Sequence, residues 1–111
     1  DLEKKIRLDA IENATKYATE IPFKVMETAY HSMEVMMAMA KEGLQNSLSD
    51  AGVGALCART AVVGAYFNVR INAKDIKDRS FAEQILSDAK NIYDKTNLIE
   101  NEMIQLIDTK I

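Results

Sequence analysis

The sequence is poor in the residues that make tight turns and covalent cross-links. Among its 111 residues, glycine occurs four times, proline once and cysteine once. So few turn residues leave little material for β-hairpins, so we expect long helices. A single cysteine excludes a disulfide bond within the chain and is typical of a reducing compartment, so we expect a cytoplasmic location.

The sequence also lacks an excess of basic charge and a long uninterrupted apolar run. Its net charge is -3 with a pI near 5.1, which argues against binding to nucleic-acid phosphates. No apolar run approaches the roughly 18 residues that a membrane span needs, so no membrane partner is expected. The polar opening Asp-Leu-Glu-Lys-Lys is unlike a signal peptide, and the absence of an initial Met suggests a cut or trimmed end.

The residues that are present indicate one globular, all-helical domain over residues 1–111. In residues 2–20, apolar side chains recur at steps of three or four. Pro22 is disfavoured inside a helix and welcome at its first position, so we predict a break at Glu20–Ile21. A second helix then covers residues 22–42 and is capped by Gly43. It carries five of the six methionines, which predict adaptable core packing or, alternatively, a surface for a flat ligand.

The second half of the chain predicts two further helices. Residues 47–50 fit a capping box, or alternatively Ser49 is itself the N-cap, and a helix over about residues 50–72 follows. Another capping box starts at Ser80 and opens a helix that continues to the C-terminus. A helix of nearly thirty residues favours packing along a partner subunit or within a long bundle. The predicted fold is therefore an up-and-down bundle of long helices that is completed by dimerisation.

The helix over residues 50–72 has an unusual face, which we call the seam. Its centre consists only of small residues, and its two ends are polar; the small residues are Gly54, Cys57, Ala61, Gly64 and Ala65. Each glycine costs about 1 kcal/mol of helix propensity relative to alanine, so close packing of another backbone or access for a ligand must compensate.

The polar ends of this helix supply candidate functional residues. Asp50 is either a plain capping residue or a carboxylate available for proton transfer. Arg59 and Arg70 are candidates for binding an anionic ligand tail; alternatively, they face solvent or pair with acidic side chains. Asp50 and Asn72 lie roughly 30 Å apart along the helix, so one small ligand could reach both only if a second subunit supplied one end. His31 has no His or Cys nearby, so no metal site is expected.

The middle of the chain resembles the cyclodeaminase family, the folate-linked domain of formiminotransferase-cyclodeaminase and its methenyltetrahydrofolate cyclohydrolase relatives. The resemblance covers about half of the chain and is looser in the last helix. The residues that carry it are Pro22 after Thr19-Glu20-Ile21, Asn46, Ser49-Asp50-Ala51-Gly52-Val53-Gly54-Ala55, Ala65 and Asn68-Val69-Arg70-Ile71-Asn72. Family members begin with a glycine-rich helical segment that this chain lacks, so the chain looks like the C-terminal part of the domain.

The resemblance implies a dimerising helical domain that binds tetrahydrofolate and closes 5-formiminotetrahydrofolate to 5,10-methenyltetrahydrofolate with release of ammonia. In this interpretation Asp50 moves the proton, and Asn46, Ser49, Asn68 and Asn72 bind the pterin or orient the formimino group. Arg59 and Arg70 meet the glutamate tail. No cofactor beyond the folate is expected, and a formiminotransferase is a possible fused or associated partner. Two alternatives stay open: a methenyltetrahydrofolate cyclohydrolase, and a non-catalytic helical fragment or assembly module.

Overall fold

Three long helices make up the computed structural model, which describes all 111 residues. They are α1 (Leu2–Glu42), α2 (Leu48–Ala73) and α3 (Arg79–Lys110), and a short 3-10 turn (Gln45–Ser47) precedes α2. The molecule is a rod of 67 × 18 × 16 Å. The predicted all-helical fold is confirmed.

Consecutive helices run antiparallel, as the contacts along them show. Asn72 near the end of α2 bonds to Ala18 of α1, whereas Gly54 near the start of α2 lies against Met36. Between α2 and α3, the ring of Tyr66 stacks on that of Tyr93 with the centroids 4.8 Å apart. Short connections force this up-and-down order, because they leave a chain no room to cross the bundle.

The predicted break at Glu20–Ile21 is wrong, because α1 continues through Pro22. A proline inside a helix leaves the carbonyl four residues earlier without its donor. Here that carbonyl belongs to Ala18, and it accepts a hydrogen bond of 3.0 Å from Nδ2 of Asn72. The tertiary contact thus offsets part of the cost of the proline, and α1 stays continuous.

Methionines form much of the small core, as predicted. Met26 and Met33 of α1 are fully buried and Met37 nearly so, whereas Met39 is 53% exposed. Met26 packs with Val62, Val69 and other residues of α2 and α3 in one cluster, and Met37 belongs to a second cluster nearer the 3-10 turn. The unbranched thioether side chain fills the irregular space between helices whose buried positions include many alanines.

Both capping boxes are wrong in detail, although the helices that they predicted exist. Ser47 is the N-cap of α2, as predicted, but its side chain makes no capping hydrogen bond. α3 is capped by Asp78, whose carboxylate accepts from the N–H of Phe81 at 3.2 Å, so Ser80 lies inside the helix. Gly43 does follow the last residue of α1, and its N–H donates to the carbonyl of Met39.

The link between α2 and α3 is held by a carboxylate from α1. Glu12 accepts from the backbone N–H groups of Lys77 at 2.8 Å and Asp78 at 2.9 Å. Lys16 lies 3.1 Å from the carboxylate of Asp78. The pKa of Glu12 is lowered, chiefly by the hydrogen bond from the N–H of Lys77 and next by the one from Asp78. The pKa of Asp78 is lowered as well, chiefly by the hydrogen bond from the N–H of Phe81 and next by the one from Lys16. These contacts tie the N-terminal half of α1 to the start of α3.

The packing face of α2 lies mainly beside the seam and shares only Ala65 with it, which corrects the sequence interpretation. The buried residues of α2 are Leu48, Ala55, Ala58, Val62, Ala65, Tyr66, Val69 and Ala73. Within the seam, Gly54 does approach Met36, since a Cβ there would lie 2.9 Å from its sulfur. Cys57 and Gly64 are exposed, and no atom lies near the position of a Cβ at Gly64. Close packing therefore explains one seam glycine only.

One segment, Gln45–Ala73, is long and apolar enough to cross a membrane by length and composition alone. The sequence expectation that no segment reaches this threshold is therefore wrong: α2 carries few charges and many alanines and valines. The central helix of a small bundle has the same composition, because it contacts neighbours on two sides.

Candidate functional site

The candidate residues at the start of α2 are exposed. Asn46 lies in the 3-10 turn, and Ser49 and Asp50 lie in the first turn of α2. The carboxylate of Asp50 has no hydrogen bond or ion pair within the chain, so nothing competes for it, and the free N–H groups of a helix start favour negative charge at such a position.

A groove between α2 and α3 begins beside this turn. Its volume is about 210 Å³, and its walls are mainly apolar, with Val53, Leu56 and Met103 among them. The polar groups at its rim are Ser49, Glu100 and Asp108. The groove can hold an apolar or aromatic group next to a hydroxyl and two carboxylates.

The middle of α2 carries Arg59, which is paired. Its Nε lies 2.9 Å from the Glu100 carboxylate, at angles outside those of a hydrogen bond. Glu100 is the more buried partner, with 18% of its side chain exposed against 36% for Arg59. The alternative of an ion pair therefore describes Arg59 in this chain. Sequence reasoning missed Glu100 because 41 residues separate the two and only the antiparallel register brings them together.

The candidates at the end of α2 divide between two sides of the helix. Asn68 and Asn72 face a groove of about 380 Å³ between α1 and α2, together with Pro22 and apolar residues of both helices. Arg70 lies elsewhere, with its guanidinium 5.3 Å from the centre of the Tyr66 ring. Residues two apart on a helix point in nearly opposite directions, so Arg70 cannot share the groove of Asn72.

The seven candidates thus occupy separate places. Asp50 and Asn72 are 22 positions apart, or about 33 Å along α2 at 1.5 Å per residue. One chain brings Asn46, Ser49 and Asp50 together at one end and Asn68 and Asn72 together at the other. His31 lies on the exposed face of α1, with Nδ1 3.0 Å from the Glu34 carboxylate.

The geometry defines a class: an elongated, all-helical protein whose grooves between helices are apolar inside and carry amide, hydroxyl and carboxylate groups at their rims. Comparison with known proteins identifies the family. The model of the formiminotransferase-cyclodeaminase family matches residues 1–91. The chain belongs to this family.

Two kinds of relatives are similar to the chain. Methenyltetrahydrofolate cyclohydrolase of Methylorubrum extorquens is 30% identical over 111 residues, all of this chain and 53% of that protein. Formimidoyltransferase-cyclodeaminase of Rattus norvegicus is 37% identical over 82 residues, and that of Dictyostelium discoideum is 36% identical over 83. These matches cover 74% and 75% of the chain but 15% and 16% of those proteins.

The chain therefore spans about half of the cyclohydrolase and a much smaller share of the cyclodeaminases. The relatives support a family of folate one-carbon enzymes rather than one particular reaction.

Proposed function

We propose that this chain is the C-terminal part of a cyclodeaminase domain that closes 5-formiminotetrahydrofolate to 5,10-methenyltetrahydrofolate and releases ammonia. The observation that carries the proposal is the family match over residues 1–91, which includes all seven candidate residues. The matches to the formimidoyltransferase-cyclodeaminases support the same reaction.

The reaction needs one group that moves a proton. N10 of the folate attacks the carbon of the protonated formimino group, which leaves an NH₂ group on that carbon. N10 then loses its proton, and the NH₂ group gains a proton before it leaves as ammonia. A single carboxylate can take the first proton and return it to the leaving nitrogen. Asp50 fits this role because its carboxylate has no partner in the chain.

The contacts of the other candidates divide the binding roles. Asn68 is exposed in the α1–α2 groove, so its amide is available to the pterin ring. Asn46 and Ser49 lie beside Asp50 and suit the formimino group. Arg70 is the better candidate for the glutamate tail, because Arg59 already faces the carboxylate of Glu100. No cofactor beyond the folate enters this scheme.

A second copy of the chain would bring both ends of α2 to one folate. About 33 Å separates Asp50 from Asn72 in one chain, so a shared site needs α2 from each of two subunits. Large apolar side chains are exposed along α2, with Val53 at 60%, Phe67 at 57% and Ile71 at 63%. Exposed apolar residues of this size favour association. The proposal accordingly includes a cytoplasmic homodimer, fused to or associated with a formiminotransferase.

One observation favours a second candidate, the methenyltetrahydrofolate cyclohydrolase. The match to that relative extends over the whole chain, including residues 92–111, which lie outside the family match. In that reaction water attacks the methenyl carbon, and the same carboxylate would accept the proton of the water.

The deciding experiment supplies each substrate to the natural full-length protein. Ammonia release from 5-formiminotetrahydrofolate measures the first reaction, and loss of methenyltetrahydrofolate absorbance measures the second. We expect Asp50→Asn to lower kcat by roughly 10²-fold or more, the usual contribution of a general acid–base group. Asp9→Asn, an exposed carboxylate of α1, is the matched control and should keep the wild-type rate.

An unchanged rate in Asp50→Asn contradicts the assignment of Asp50. A natural protein that turns over neither substrate contradicts both enzyme proposals and favours the non-catalytic assembly module.

A further inference from the structure

The side chain of Asn72 takes the place of a missing helix bond. In an α-helix the carbonyl of Ala18 would accept from the N–H of residue 22, but Pro22 has no N–H. Nδ2 of Asn72 donates to this carbonyl at 3.0 Å from the neighbouring helix. The proline on α1 and the asparagine on α2 are therefore complementary, although 50 residues separate them.

This bond also determines the orientation of the Asn72 amide. A carbonyl oxygen can only accept, so the NH₂ group must face Ala18 and Oδ1 must be turned away from it. Oδ1 has no hydrogen-bond donor within the chain. Asn72 lies in the wall of the α1–α2 groove of about 380 Å³, beside Pro22 and Asn68. The groove thus contains an amide whose acceptor atom is held in one direction and is available.

We propose that Pro22, Ala18 and Asn72 form one recognition unit. The carbonyl that Pro22 frees orients the amide of Asn72, and Oδ1 then accepts a hydrogen bond from an N–H group of a flat heterocycle in the groove. The choice of ligand class rests on the proposed folate function, since a pterin ring carries such N–H donors. The coupling between Pro22 and Asn72 does not depend on that function.

A thermal double-mutant cycle tests the coupling. We expect Asn72→Ala to lower Tm by roughly 4–8 °C, because the carbonyl of Ala18 loses its donor. In the Pro22→Ala background the N–H of residue 22 satisfies this carbonyl, so the same substitution should lower Tm by less than half as much. Asn91→Ala, an exposed asparagine on α3, is the control and should shift Tm by no more than about 2 °C. If Asn72→Ala lowers Tm equally in both backgrounds, Pro22 and Asn72 are not coupled and the proposed recognition unit is wrong.

Titration calorimetry with tetrahydrofolate tests the acceptor role on the natural full-length protein. The informative comparison is between Pro22→Ala and the Pro22→Ala/Asn72→Ala double variant. Both lack the proline ring, and in both the N–H of residue 22 can donate to the carbonyl of Ala18. We expect the double variant to bind roughly tenfold more weakly, since only Oδ1 and its amide are lost. Equal affinity of the two variants overturns the acceptor role. A wild-type protein that does not bind tetrahydrofolate overturns the folate ligand, and the thermal cycle then still decides the coupling.

Discussion

Gly64 offers a sharp test of whether the seam of α2 is a free surface. It lies inside α2 and is exposed, and a Cβ built at this position meets no atom within 4 Å. Alanine in place of glycine therefore adds no clash in the single chain. The substitution reduces the freedom of the unfolded chain and gains about 1 kcal/mol of helix propensity.

The gain converts to a measurable change in Tm. With an unfolding entropy of about 2.1 cal/mol/K per residue, 111 residues give roughly 0.23 kcal/mol/K. A gain of about 1 kcal/mol then raises Tm by about 4 °C. Circular dichroism at 222 nm follows the loss of helix, and scans at several protein concentrations separate folding from association.

Two other glycines are the matched controls. Gly54→Ala places a Cβ 2.9 Å from the sulfur of Met36, so that flexible side chain must move and the gain should shrink or reverse. Gly43→Ala brings a Cβ against the backbone carbonyl of Met39, which cannot move without disturbing the end of α1, so Tm should fall. If Gly64→Ala lowers Tm at concentrations where the chain is monomeric, the position of Gly64 is not open in the folded chain and the prediction is wrong. A rise in Tm that disappears as protein concentration increases would show that a second copy covers Gly64.

Two further predictions concern the α2–α3 link and the core. Two backbone hydrogen bonds hold the pKa of Glu12 in the folded chain below its usual range. The ionised carboxylate therefore stabilises the fold above the pKa that Glu12 has in the unfolded chain, and this stabilisation is lost as pH falls through the pKa in the folded chain. Tm measured between pH 3 and 7 should therefore fall less steeply on the acid side in Glu12→Gln, and equal slopes would contradict this. Met26→Ala should lower the free energy of unfolding in urea by about 2–5 kcal/mol, since Met26 is fully buried. Met39 is 53% exposed, so Met39→Ala should change this free energy by no more than about 0.5 kcal/mol. Similar losses in the two variants would show that burial does not set the cost.

Much of the fold could be predicted from local patterns, and the failures share one cause. The repeat of apolar residues predicts helix in residues 2–20, because it depends only on the 3.6-residue turn, and the cap patterns place the starts of α2 and α3 close to their observed positions. The break at Pro22 was wrong because the donor that replaces its missing N–H comes from Asn72, far along the chain. The cap of α3 at Ser80 was wrong because Asp78 lies in a link that Glu12 of α1 holds in place. Local rules omit partners of this kind.

The candidate site shows the same division. Sequence patterns selected Asp50, Asn68 and Asn72 as polar ends of a helix with a small-residue face, and the family match covers all of them. They could not show that Arg59 faces Glu100, or that Asn68 and Asn72 share a groove from which Arg70 is turned away.

Local patterns in the sequence were enough for the helical class and for the approximate lengths of α2 and α3, because these depend on composition and periodicity, and the motifs around Pro22, Asp50 and Asn68 carried the resemblance to the family. The buried face of α2, the continuation of α1 through Pro22 and the set of polar groups left free for a ligand follow only from the packed structure. Those outcomes depend on the antiparallel register of three long helices, which brings groups about 40 to 70 residues apart in the sequence within bonding distance. That register comes from the joint packing of methionines, alanines and aromatic rings, and no single stretch of the chain contains it.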